Sequence, residues 1–193
     1  SIPVYPIVRP RGGDFLYTEN EFETMKKDVL LCKQLGFEGV VVGLLHTDGS
    51  IDITRTTQLV NIAWPMGVTF HRAFDRAANL FTALEAVIET GCERILTSGG
   101  VPDAPAGAET IKKLVQEAGH RIIIMPGSGV RAANLEQLVQ ATGAVEFHSS
   151  AKTAISSAMQ HRNENFPGND GGYDGVNEQE IQQMCSLLNP VGQ

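Results

Sequence analysis

The sequence predicts an α/β fold of the TIM type: a (β/α) barrel with six of its eight strand–helix units present in this chain. Three observations carry that expectation. Short β-branched runs alternate with amphipathic helical stretches at intervals of roughly 25–35 residues, which implies parallel strands joined by right-handed crossovers. Four helical stretches close on a glycine, Gly36, Gly91, Gly119 and Gly143, a few residues before the next strand. Glycine there takes the left-handed conformation that ends a helix, so one short αβ turn recurs. Lastly, five of the six strands run straight into a glycine-rich or charged segment. A doubly wound sheet concentrates its chemistry at one switch point, whereas a barrel gathers every strand end at one mouth.

The expected strands, in order, are Pro3–Arg9, Gly39–Leu45, Val68–Arg72, Arg94–Ser98, Arg121–Met125 and Ala144–His148. The first helix opens on Thr18 with Glu21 at capping-box spacing and carries Phe22, Met25, Val29 and Cys32 on one stripe. The second, Asp52 to Trp64, is diluted by Thr54, Thr56 and Thr57. Leu84, Val87 and Ile88 mark the third; Ile111, Leu114, Val115 and Ala118 the fourth; Leu135, Leu138 and Val139 the fifth. The barrel domain is expected over residues 1–163. A glycine- and asparagine-rich stretch up to Gly175 reads as a mobile loop, and a short helix capped by Asn177 and Glu180 closes residues 164–193 on the barrel or a partner subunit. Six parallel strands leave two edges that something must cover.

Composition narrows the function. The 193 residues hold 15 Lys and Arg against 22 Asp and Glu, a net charge of −7 that repels phosphate backbones and speaks against nucleic acid. Apolar runs such as Val40–Leu45 are far shorter than a membrane span, and the opening Ser-Ile-Pro-Val is not a signal-type stretch. Three scattered cysteines suit a reducing, cytoplasmic setting better than a disulfide framework.

The strand ends supply the candidate site residues. His71 and His148 each end a strand and suit proton transfer or metal binding; alternatively each is hydrogen-bonded within its layer. Glu146 shares a strand face with His148 and should point into the barrel, where Arg9 is the expected partner. That pair is either architectural or the floor of a ligand site. Arg11, Asp14, Arg72 and Asp75 form a mixed-charge layer near the mouth; guanidinium forks suit carboxylate or phosphate, and surface pairing is the plain alternative. Gly127, Ser128 and Gly129 precede a helix and Ser149 follows the last strand, the place where barrels usually grip phosphate. The expected anion set is therefore Arg9, Arg11, Arg72, Gly127, Ser128, Gly129 and Ser149, with His71, His148, Glu146 and Asp75 as catalytic candidates. From residues alone two readings stand: a barrel enzyme acting on a small anionic, possibly phosphorylated, metabolite, or a non-catalytic oligomerising scaffold whose mouth residues are structural. Cys32 and Cys185 lie on apolar helix stripes and Cys92 follows Gly91, so all three read as small buried hydrophobes.

Five ordered segments carry a resemblance: Ile7–Phe15 (IVRPRGGDF), Val68–Asp75 (VTFHRAFD), Arg94–Gly99 (RILTSG), Ile124–Val130 (IMPGSGV) and Glu146–Ala151 (EFHSSA). Together, from about Ile2 to Asn163, the sequence resembles the CutC copper-homeostasis family. The resemblance implies a TIM-type barrel, a cytoplasmic location, self-association and a role in handling Cu(I). It also implies two further βα units before the first strand, carrying the family's proposed copper-ligand cysteines. Nothing here aligns to them, so no metal ligand is carried over to any residue.

Overall fold

The computed structural model describes residues 2–161, 163, 165 and 171–188. Four parallel strands, β1 (Gly39–Val42), β2 (Gly67–Phe70), β3 (Arg94–Thr97) and β4 (Ile123–Pro126), pair in the order β1-β2-β3-β4. Sequential order means that every crossover returns beside its own strand on the same side, which is barrel winding. The helices α1 (Glu19–Gln34), α2 (Ile53–Ala63), α3 (Leu80–Thr90), α4 (Ala108–Ala118) and α5 (Ala132–Thr142) pack each on the next around the outside. The fold is thus of the TIM-barrel type, with an open arc of strands.

Local chemistry explains the elements. Thr18 and Glu21 form the expected capping box, and Phe22, Met25 and Val29 are buried beneath α1. Asp52 caps α2 by accepting from the Arg55 N–H at 2.9 Å, which offsets the threonine dilution. All four helix-closing glycines sit at positive φ. The core between helices and sheet is built from Val40, Val42, Phe70, Ile95, Leu114 and Leu135, each fully buried.

The two flanking runs depart from expectation. Pro3–Arg9 touches β1 through a single bridge, Ile7 to Val41, with the Val8 N–H on the Val41 carbonyl at 2.9 Å. Pro3, Pro6 and Pro10 remove the donors a longer ladder needs. Ala144–His148 follows β4 with one bond, the His148 N–H to the Pro126 carbonyl at 2.9 Å. Pro126 has no N–H to return.

An antiparallel hairpin was not expected. β5 (Lys152–Ser156) pairs with β6 (Gly172–Val176), spanning the boundary drawn at 163/164. Of the stretch read as a mobile loop, residues 164 and 166–170 lie outside the described residues. The last helix, α6 (Glu178–Leu188), packs on α5 as a barrel-docked helix.

Candidate functional site

The strand ends of β2 and β3 meet around Asp75, which a short 3-10 turn (Phe74–Arg76) swings back over the sheet. Its carboxylate accepts from the Arg72 Nε at 2.7 Å, the backbone N–H groups of Ser98 and Gly100 at 3.0 Å each, and the Thr97 hydroxyl. A carboxylate so enclosed is a clamp for neighbours and has no capacity left for a substrate proton. Arg72 also donates through Nη2 to the Ser98 hydroxyl at 2.6 Å. Its Nη1 has no partner among the described residues, so the fork is held rigid with one arm free.

Arg72 lines a cavity of about 660 Å³ together with Arg9, Gly13, Asp14, Phe15, Leu45, Asp75 and Arg76. Arg9 donates to the Gly13 carbonyl at 2.7 Å and lies over the Phe15 ring, 4.7 Å from its centroid. Phe15 in turn packs against His71, the ring centroids 5.0 Å apart.

His71 is 5% exposed. Its Nδ1 accepts from the Ala73 N–H at 3.1 Å, and its Nε2 is buried with no partner. Gly43 makes room for the ring, because a Cβ there would stand 2.3 Å from Cε1 and Nδ1. Burial pushes the imidazole down to about 4, so it is neutral near pH 7. His148 sits at the exposed edge beside Gly127, and partial desolvation lowers its pKa.

Several expected ligands are engaged within the chain. Arg11 spends its guanidinium on Glu21 (2.6 Å), Asp14 (2.8 Å) and the carbonyls of Gly12 and Leu16, tying its loop to α1. The Gly127 N–H donates to the Thr97 carbonyl at 2.9 Å. Ser128, at φ 73°, donates to the Pro102 carbonyl, and a Cβ on Gly129 would lie 2.8 Å from Asp103. The Ser149 hydroxyl donates to the Val130 carbonyl at 2.8 Å. At the start of α5, the Ala132 N–H is occupied by the Glu180 carboxylate of α6, at 2.8 Å.

The pairing of Glu146 with Arg9 is corrected. Glu146 accepts from Arg94, the first residue of β3, through Nε and through Nη2 at 3.3 Å. Arg94 also donates to Glu93 at 2.8 Å and Thr69 at 3.1 Å, and Tyr5 donates to Glu93 at 3.0 Å. The reason is height along the barrel. Glu146 lies level with the strand starts, whereas Arg9 ends its run at the mouth. Burial works against the Arg94 charge, but the Glu146 contact outweighs it and raises the pKa. Arg94 shares a strand face with Leu96, an alternation that could have exposed it in the sequence. Glu180 carried no such signal.

The donor set fits Cu(I) poorly, because that ion prefers thiolate and thioether. Cys92 is buried and its thiol is pushed up to about 12 by that burial; Cys32 is half-buried and Cys185 exposed. Among the described residues, no three His, Cys, Asp or Glu side chains are grouped to hold a metal ion.

Comparison with known proteins agrees with this architecture. The CutC family model matches residues 1–153. A CutC family protein of Chromobacterium violaceum is 48% identical over 186 residues, which is 96% of this chain and 74% of that protein. Another, from Parabacteroides distasonis, is 52% identical over 167 residues, 86% of this chain and 69% of that protein. The crystal structure of a protein from Streptococcus agalactiae, described as a candidate copper homeostasis protein CutC, superposes with a TM-score of 0.70 at 32% identity. It covers 74% of this chain and 70% of that one.

Proposed function

Since the chain belongs to the CutC family, associated by name with copper homeostasis, we propose that it serves that role in the cytoplasm and that its mouth holds a small anion. A phosphorylated metabolite is the class that fits best. The observation that carries this reading is the cavity of about 660 Å³ that Arg9 and Arg72 both line. Guanidinium forks recognise oxyanions, and the Asp75 contact at 2.7 Å fixes the direction of the Arg72 side chain. Of the expected anion set, Arg9 and Arg72 line this cavity; Arg11, Gly127, Ser128, Gly129 and Ser149 do not. Within an enzymatic version, His148 is the mouth imidazole suited to move a proton, with Glu146 confined to the strand-start network.

Cu(I) binding and trafficking is the second reading, with copper as cargo. What favours it is the name of the Streptococcus agalactiae relative, which ties the family to copper homeostasis. The two readings separate by calorimetry with Cu(I) under reducing conditions beside a panel of phosphate, sulfate and phosphorylated metabolites. We expect an anion response that Arg72→Ala weakens about tenfold, the worth of one charged hydrogen bond. Stoichiometric copper binding that survives Cys32→Ser, Cys92→Ser and Cys185→Ser together, with no response to any anion, overturns the anion reading. Self-association belongs to the same proposal and is supported by Ile7 and Val145, 64% and 79% exposed on the two flanking runs. Sedimentation of the purified chain tests it.

A further inference from the structure

The cavity that Arg9 and Arg72 line has a third arginine in its wall, Arg76. Three of the chain's nine arginines therefore meet at one cavity, although the chain as a whole carries a charge of −7. Among the described residues none of its six lysines lines it. Two carboxylates share the lining, Asp14 and Asp75, and both are already committed. Asp14 pairs with Arg11 at 2.8 Å and Asp75 with Arg72 at 2.7 Å. The Asp75 oxygens also take the Thr97 hydroxyl and the N–H groups of Ser98 and Gly100, which leaves nothing for the adjacent Arg76. Arg9 and Arg76 belong to no ion pair among the described residues.

These two charges are held differently. Arg9 donates to the Gly13 carbonyl and lies over the Phe15 ring, which fixes its guanidinium in place. Arg76 is exposed, and its side chain makes no hydrogen bond among the described residues. Its backbone is anchored all the same. Phe74, at the start of the same 3-10 turn, is fully buried, and the Arg76 N–H donates to the Ala73 carbonyl at 2.9 Å. A fixed root with a free stem lets this guanidinium close on a ligand already seated against Arg9 and Arg72.

Resting on the anion reading, we infer that Arg9 and Arg76 together select a ligand with two negative charges on one small group, so that the site takes phosphate monoesters and rejects diesters. A monoester is largely a dianion near pH 7, its second pKa being about 6, and it offers three terminal oxygens. Its charge answers both Arg9 and Arg76, while Arg72, already paired with Asp75, supplies hydrogen bonds and direction. A diester carries one charge, which leaves one of the two guanidinium groups without a counter-charge.

Titration of the full chain with methyl phosphate and dimethyl phosphate tests this, because both are tetrahedral and they differ in charge. Wild type is expected to bind methyl phosphate about tenfold more tightly. Arg76→Gln, at an exposed position, should weaken methyl phosphate about fivefold and leave dimethyl phosphate within about twofold. Arg121→Gln removes one charge at the strand-start end and should change neither, which separates this cavity from the charge of the whole molecule. Equal affinity of wild type for the two phosphates overturns the inference and leaves the anion reading intact. So does an Arg76→Gln variant that matches wild type or weakens both phosphates alike. No binding of methyl phosphate by wild type also overturns the inference, and no response to sulfate or any phosphorylated metabolite overturns the anion reading with it.

Discussion

Removing Arg94 should unfasten the strand-start network, and its cost can be worked from the contacts. The Arg94 side chain is 16% exposed and that of Glu146 37%. A fully buried pair costs about 3–5 kcal/mol when one partner is lost, and an exposed pair is worth about 0–1 kcal/mol. Arg94→Met strands Glu146 and Glu93 and frees the Thr69 hydroxyl, three losses in a half-wet site. We expect about 2–3 kcal/mol, between those limits. Glu146→Ala should cost about 1–2 kcal/mol, because Arg94 keeps Glu93 and Thr69. Urea unfolding of both single variants and the double variant gives the coupling, expected at about 1–2 kcal/mol. Arg9→Ala with Glu146→Ala serves as the control and should be additive. Coupling confined to Arg9 and Glu146, with none for Arg94, would refute the placement.

Two further outcomes are expected. Gly43→Ala puts a Cβ 2.3 Å from the His71 ring and 2.9 Å from Ala73. Overpacking of this kind costs about 1–3 kcal/mol, whereas Gly12→Ala, with open space around it, should stay within about 0.5 kcal/mol by urea melts. The second concerns acid. His71 is held near 4 in the fold against 6.5 when unfolded, so the unfolded chain binds the extra proton. Stability from this group is therefore complete above pH 6.5 and falls as the pH drops toward 4, by about 1.4 kcal/mol per unit at most. Unfolding free energies at pH 7 and pH 5 should converge in His71→Asn relative to wild type; an unchanged slope would exclude a buried neutral imidazole.

The barrel was legible because its signals are local and repeated. Helix periodicity, the Thr18 capping box and the closing glycines each depend on a few neighbouring residues, and they were realised except at Gly119, whose ψ of −123° lies outside the left-handed helical region. Strand limits were less legible in the flanking runs, where Pro3, Pro6 and Pro126 subtract donors that β-propensity does not count. The β5–β6 hairpin joins segments sixteen residues apart at their nearest ends, Ser156 and Gly172, so no short turn motif announced it. His71, Arg72 and Asp75 were legible as neighbours at one strand end because they follow one strand in sequence. Arg94 was missed because the partner of an inward charge depends on height along the barrel, which residue order does not display. Glu180 reaches the α5 terminus from a late helix, and only the fold brings it there.

The Glu180 carboxylate on the Ala132 N–H has a consequence for competition. A group attached to the same chain is present at an effective concentration in the millimolar range or above. A free anion of similar strength must therefore exceed that range to take the α5 terminus from it. Metabolites at micromolar levels are filtered out there by mass action alone. The place where barrels most often hold phosphate is reserved, in this chain, for keeping α6 in position.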